Sequence, residues 1–309
     1  MENKPFVLLV GQVYLDTILH VNKFPEEDTK IRATYAEQRV GGNTCNTAQV
    51  LAQFHHQLDV CYMSAVGSHE TSSYIMDSLK HIKDTMLYRE EQLTPSSVII
   101  HNQSTSSRTI ISNNNLKEID LNEFIQTFDT FPRKENVWVH FEGRNIHETI
   151  RQIEWLNEKA AREYWRSKLT ISVELEKPER PDIHLLAQKG DVVFFSKIYA
   201  QHHGYQDPSQ FLIAQELKPS AFAFCTWGAE GAVVFDNKTK QTYRATPPAI
   251  EKVVDTVGAG DTFIAGIIYH LTCFGTLEHA LNFGCQLATR KVAQQGFDCL
   301  SIREEKTIR

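Results

Sequence analysis

The sequence predicts an α/β fold: a mostly parallel sheet with helices on both faces, and a small antiparallel β piece set apart from it. Three observations carry that expectation. Short apolar, β-rich runs alternate with helically spaced stretches along most of the chain, the rhythm of linked β-α-β units. The first run, Phe6 to Val10 (FVLLV), is apolar without interruption, as a strand covered on both faces must be. Two stretches, residues 12–40 and 95–113, read as extended with no helix to pair with a parallel sheet.

Taken in order, FVLLV is the first strand, and 12–40 reads extended, with Pro25 and acidic turn residues. Ala48 to Phe54 has helical spacing. Val60–Val66 predicts a strand and Thr71–Ile82 a helix. Ser96 to Ser112 (SSVIIHNQSTSSRTIIS) holds two β-rich runs around a polar turn, a hairpin signal. Val137–Phe141 and Leu169–Leu175 predict strands around a helix near His147–Trp165. Asp191–Phe195 and Ala221–Thr226 continue the rhythm, with helical material between them. From Thr262 onward Phe263, Ile264, Ile267, Ile268, Leu271 and Phe274 lie on one helical face, and Gly275 suits the position after its end. No linker divides the chain, so residues 1–309 are expected to form one domain whose β lid comes from roughly 12–40 and 95–113.

Composition excludes several classes. At 41% hydrophobic and 23% charged residues, 309 residues carry enough apolar surface for a large core, which excludes a disordered chain. A net charge of −6 with no Lys/Arg run longer than two argues against nucleic-acid binding. No apolar stretch approaches the ~20 residues of a membrane span. The six cysteines (45, 61, 225, 273, 285, 299) include no C-x-x-C pair, so they read as reduced residues of a cytoplasmic protein.

The most informative segment is DTVGAGDTFIAG, Asp255 to Gly266. The helical face that starts at Thr262 puts Gly258-Ala259-Gly260 at a helix N-terminus. The first N–H groups there have no intrahelical partner and the dipole end is positive. Glycines let the backbone approach a ligand closely. Together these make an anion site suited to phosphate. Asp261, in the first turn, is either a helix-end acid stabilised by the dipole or the base that takes the proton of a hydroxyl attacking phosphorus. The G-x-x-x-x-G-K-[ST] loop is absent, and Gly11-Gln12-Val13 lacks the G-x-G-x-x-G of a dinucleotide site.

Asp255-Thr256-Val257-Gly258-Ala259-Gly260-Asp261 resembles the C-terminal signature of the ribokinase-like (PfkB) carbohydrate kinases. Gly41-Gly42-Asn43-Thr44-Cys45-Asn46 resembles their N-terminal signature, and Gly67 follows at the usual distance. The segments HFEGRN (140–145), SVELEKP (172–178), FFSK (194–197), VVDTVGAGDTF (253–263) and FGCQLA (283–288) are similar to the branch that phosphorylates ketohexoses such as fructose at the 1-hydroxyl. The resemblance spans essentially the whole chain. It implies a ribokinase-like three-layer sandwich with a β lid, ATP and Mg2+ as cofactors, and a homodimer that clasps lid to lid.

Residue by residue, the resemblance implies Asp261 as catalytic base, the Gly258-Ala259-Gly260 turn as anion hole, and Arg108 swinging onto the transferred phosphate. Arginine suits that task through its bidentate fork. Asp16, Asp28, Gly41, Gly42, Asn43, Asn46 and the EGRN acid Glu142 are implied around the sugar. Carboxylates and amides are the groups that hold a neutral polyol in fixed directions. Lys197, Thr226, Gly228, Gly231, Asn282 and Cys285 are implied at the nucleotide, and Asp255 at a potassium-binding loop. Many relatives carry N-x-x-E where Ser196-Lys197-Ile198-Tyr199 stands here, so the Mg2+ ligands are undefined, with Glu174 and Glu176 as candidates. Two other readings stay open: a ribose or nucleoside kinase of the same fold, and a catalytically silent sugar or nucleotide sensor.

Overall fold

The computed structural model describes residues 4–105, 107–131 and 136–301. A nine-stranded sheet forms the middle layer. Its strands are β1 (Phe6–Val10), β4 (Asp59–Val66), β5 (Lys83–Tyr88), β8 (Val137–Glu142), β9 (Leu169–Leu175), β10 (Val192–Phe195), β11 (Phe222–Thr226), β12 (Ala232–Asp236) and β13 (Gln241–Ala245), in spatial order β13-β12-β11-β10-β9-β8-β1-β4-β5. From β5 to β11 every neighbouring pair is parallel, and only β12 and β13 join antiparallel. All five residues of β1 are buried, because β1 lies in the middle of the sheet between β8 and β4.

The alternation of strand side chains divides the core into two layers. Phe6, Leu8 and Val10 face one layer, with α3 (Leu121–Phe128), α4 (Ile146–Arg162), α5 (Lys197–His202) and α6 (Pro208–Ile213) packed over that side. Val7 and Leu9 face the other, covered by α1 (Asn43–Leu51), α2 (His69–Leu79), α7 (Ala259–Cys273) and α8 (Leu277–Val292). Each fully buried Leu, Ile, Val or Phe side chain contributes about 1.5–3 kcal/mol relative to leaving it in water.

A second sheet of four strands stands apart: β2 (Tyr14–Val21), β3 (Tyr35–Gly41), β6 (Ser96–Asn102) and β7 (Ser107–Asn113), in order β3-β2-β6-β7. Its outer pairs are antiparallel as expected, but the central pair β2–β6 is parallel. The cause is topological. β2 leaves the sheet after β1, and β6 leaves it after β5, from the same end of two parallel strands.

Several boundaries differ from the sequence expectation. The helix expected over 48–54 begins at Asn43, directly after Gly42, and ends in a short 3-10 turn over Ala52–Phe54. The helix expected over 71–82 runs His69–Leu79, which leaves Lys83–Tyr88 free to add β5 as the sheet edge. α3 and the β12–β13 ribbon are additional elements. α3 carries a capping box: Asp120 accepts from the Glu123 N–H, and Glu123 accepts from the Asp120 N–H.

α7 and α8 cross where two glycines meet. A Cβ on Gly266 would stand 2.9 Å from the Gly284 Cα, so only a bare backbone allows this approach. Gly266→Leu is expected to destabilise the chain by about 1–3 kcal/mol, as overpacking does, measured by urea unfolding. An unchanged midpoint would show that the crossing tolerates separation.

Candidate active site

The C-terminal ends of the parallel strands open into a cavity of about 390 Å³, where ligands gather in open α/β sheets. β9 delivers Glu174, with Glu176 just beyond it; β10 ends at Phe194 and Phe195, and β11 at Thr226. The N-termini of α1 and α7 close one wall with Gly42, Asn43 and Asn46 and with Thr256 to Asp261. The four-stranded sheet closes another with Asp16, Ile99, Arg108 and Ile110.

The turn at Gly258 leads directly into α7. Gly258 has φ 73°, in the left-handed region, and sits at the N-cap of α7 with no side chain capping the helix. A Cβ on Gly260 would meet nothing within 4 Å, so that face of the backbone is open to a ligand. At the start of α1, Gly42 has φ 102°, and a Cβ there would run into the Gln12 carbonyl.

Asp261 is buried in the first turn of α7, only 7% exposed. Asn46 Nδ2 donates to its Oδ2 at 2.7 Å, and Thr47 Oγ1 donates to its carbonyl at 3.3 Å. Burial pushes its pKa up to about 8. The Asn46 hydrogen bond and Lys291 pull it down, and the Glu176 and Glu142 charges push it further up. Asp16 is likewise raised by burial, opposed by the Ser97 hydrogen bond and the Arg39 charge. Burial also holds Glu174 well above the usual carboxylate range, and the Glu176, Asp261 and Glu142 charges act in the same direction.

The lid is latched to the glycine turn by two arginines. Arg108 Nη2 donates to Thr256 Oγ1 at 2.6 Å, and Arg39 Nη1 lies 3.6 Å from Asp255 Oδ2.

Some expected site residues lie elsewhere. Glu142 does not line this cavity. Its carboxylate accepts from the Gln12 N–H at 3.0 Å and from Arg144 Nε at 2.9 Å, so it braces the end of β1 against β8. Asp28 is exposed in the loop between β2 and β3, with φ 56°, away from the cavity walls. Gly41 is not a wall residue either; it packs under Asp16, whose carboxylate fills the space a Cβ would need. Of the residues expected at the nucleotide, Thr226 lines the cavity. Gly228 and Gly231 form a tight turn beyond it, where Trp227 N–H donates to the Gly231 carbonyl at 2.7 Å. Lys197 Nζ sits 5.1 Å from the Trp227 ring and 3.5 Å from Glu230. Cys285 is buried, its thiol turned to the Ala245 carbonyl, and exposed Asn282 bonds within its own helix.

Asp255 does not fit the expected potassium loop. Lys291, fully buried, donates to its Oδ2 at 2.9 Å and to its carbonyl at 3.1 Å, and Val257 N–H donates to its Oδ1 at 3.0 Å. Those acceptors already face an ammonium ion. Although burial alone would raise the Asp255 pKa, these contacts hold it below the ordinary value. Thr47 and Lys291 escaped the sequence reading because nothing in their spacing marks them; only the fold brings them to the glycine turn before α7.

The raised pKa of Asp261 makes a stability prediction. The folded chain binds this proton more tightly than the unfolded chain, whose value is 3.8. Folding therefore loses stability as pH rises from about 4 to about 8. Asp261→Asn keeps an acceptor for Asn46 and removes the buried charge. Its melting temperature is expected to exceed that of wild type, by more at pH about 8.5 than at about 5.5. A variant equally or less stable than wild type at the higher pH would contradict this.

Comparison with known proteins agrees with this architecture. The model of the pfkB family carbohydrate kinases matches residues 4–301. Mouse ketohexokinase is 36% identical over 305 residues, which cover 96% of this chain and 99% of that protein. A nucleoside kinase of Methanocaldococcus jannaschii is 24% identical over 94% of this chain and 91% of its own length. Among solved structures, the Giardia lamblia ribokinase superposes with a TM-score of 0.81 at 16% identity, covering 96% of this chain and 95% of the other, a likeness of fold. A family model that spans nearly all the described residues, joined to a full-length relative at this identity, leaves one assignment: the chain belongs to the pfkB family of carbohydrate kinases.

Proposed function

We propose that this carbohydrate kinase transfers the γ-phosphoryl group of ATP to the 1-hydroxyl of a ketohexose, with fructose as the substrate and Asp261 as the base. The observation that carries the reading is the buried Asp261 carboxylate beside an uncapped helix N-terminus, in a cavity that also holds Asp16, Asn43 and Asn46. The full-length likeness to a mouse ketohexokinase supports fructose over ribose or a nucleoside.

In this mechanism Asp16, Asn43 and Asn46 orient the sugar by hydrogen bonds, and Gly41 and Gly42 let the backbone fit beneath them. Asn46 occupies Oδ2 of Asp261, which leaves Oδ1 to take the hydroxyl proton. As the O–H bond breaks, the hydroxyl oxygen bonds to phosphorus and the bond from phosphorus to the ADP oxygen breaks. Amides at Gly258–Gly260 and the Arg108 guanidinium face the charge that develops on the phosphoryl oxygens. A divalent cation, Mg2+ in this reading, would neutralise part of the triphosphate charge when bound. Lys197 and the Gly228–Gly231 turn, which follows Thr226 in the chain, serve the nucleotide in this reading. Asn282 and Cys285 are left out, because each already bonds elsewhere, as is potassium at Asp255.

The reading includes a homodimer through the lid. Ile111 on β7 is 61% exposed, along the strand that ends the four-stranded sheet, the kind of edge that pairs with another. It also includes a cytoplasmic location, supported by six free thiols. Among the described residues no helix is long and apolar enough to cross a membrane.

ADP release with Mg-ATP and fructose, ribose, adenosine or no acceptor tests the substrate. Fructose-dependent turnover, with the product phosphorylated on the 1-hydroxyl, is expected. Asp261→Asn is expected to lower kcat at least about a hundredfold, as loss of a general base does. Turnover with ribose or adenosine alone would select another kinase of the family. Sugar-dependent thermal stabilisation without turnover would select a sensor. Sedimentation at micromolar concentration is expected to give twice the chain mass, and a monomer would remove the lid-to-lid dimer.

A further inference from the structure

The cavity has an imbalance of charge that the proposed mechanism leaves open. Among the described residues lining it are four carboxylates, Asp16, Glu174, Glu176 and Asp261, and one guanidinium, Arg108. A polyphosphate entering such a space meets net repulsion unless a cation comes with it or is already there.

Glu174 stands in β9 and Glu176 just beyond its end, and both line the cavity. Asn43 holds both: its Nδ2 donates to Glu174 Oε1 at 3.0 Å and to Glu176 Oε2 at 2.8 Å. One amide nitrogen thereby fixes two carboxylates against each other. The second oxygen of Glu174 is buried and has no hydrogen-bond partner, on a side chain only 7% exposed that lines the cavity. An orphaned carboxylate oxygen is costly unless a ligand satisfies it.

We propose that Glu174 and Glu176, clamped by Asn43, are the protein's ligands to the divalent cation. The proposal rests on the kinase reading. Among the described residues no group of three or more His, Cys, Asp or Glu side chains forms a cage for a metal. Two carboxylates on an open wall are nevertheless the set Mg2+ favours, since it keeps several waters and takes its remaining ligands from phosphates. The pair also faces the same space as Gly258–Gly260, so a cation there lies beside a phosphate held by the α7 N-terminus.

Mn2+ titration of the full chain without nucleotide, followed by the loss of the free-ion electron paramagnetic resonance signal, tests this directly. One Mn2+ per chain is expected, with affinity at least about tenfold weaker in both Glu174→Gln and Glu176→Gln. Unchanged affinity in either variant, or no capture by the wild-type chain, would overturn the proposal. Mg-ATP turnover that persists without capture would leave the kinase reading intact with the metal carried by the nucleotide. Capture without any sugar turnover would leave the metal site and remove the kinase reading. Should the variants fail to fold, Fe2+ and peroxide applied to the wild-type chain provide a second test. Backbone cuts are expected around residues 41–45 and 172–178, and cuts confined elsewhere would overturn the assignment.

Discussion

A buried carboxylate at the start of a helix is costly to keep, and here one hydrogen bond holds it in place. Asn46 and Asp261 are 215 residues apart in sequence, yet their side chains meet at 2.7 Å. The bond joins the first turn of α1 to the first turn of α7, and so sets the two glycine turns, Gly41–Gly42 and Gly258–Gly260, against each other. The dipole end of α7 favours the ionised acid, while burial and the neighbouring Glu176 and Glu142 charges favour the protonated one. The compromise is a group poised near neutrality rather than a permanently charged one, which is the condition under which a carboxylate works as a base.

The same junction explains why the lid and the far end of the chain matter. Asp255 precedes the glycine turn, and its contacts with Lys291, the Val257 amide and Arg39 tie that turn to α8 on one side and to β3 on the other. Arg108 adds a second tie from β7 to Thr256. The four-stranded sheet therefore reaches the glycine turn through two guanidinium contacts, both partly solvated.

Much of this was legible in the sequence where local chemistry and fold demand the same residue. FVLLV is apolar throughout because β1 is covered on both faces, and Gly258 takes without strain the left-handed conformation from which α7 starts. Gly275, with φ 74°, ends α7 as expected. Legibility failed where tertiary placement decided. β5 is a half-buried edge strand with charged residues, so its pattern is weak. α3 did leave a signal, the Asp120–Glu123 capping box, in a helix too short to announce itself by periodicity. Glu142 is expected at the sugar from a resemblance of its segment, yet its oxygens serve Arg144 and the Gln12 amide; a motif marks a residue without saying which neighbour takes its charge. Lys291 shows the reverse case. It is a lysine on a helix like many others until the fold turns it inward against Asp255.

The account stands on Asp261 being a base whose proton affinity is set by burial in the free protein. The pH dependence of kcat/KM for the sugar reports the ionisations of the free enzyme and tests this most directly. A single rising limb, half-maximal near pH about 8 and levelling above it, is the result the structure requires. A profile flat from pH about 5.5 to 9 would mean that no such group controls the reaction, and that Asp261 is held at the helix end for stability alone.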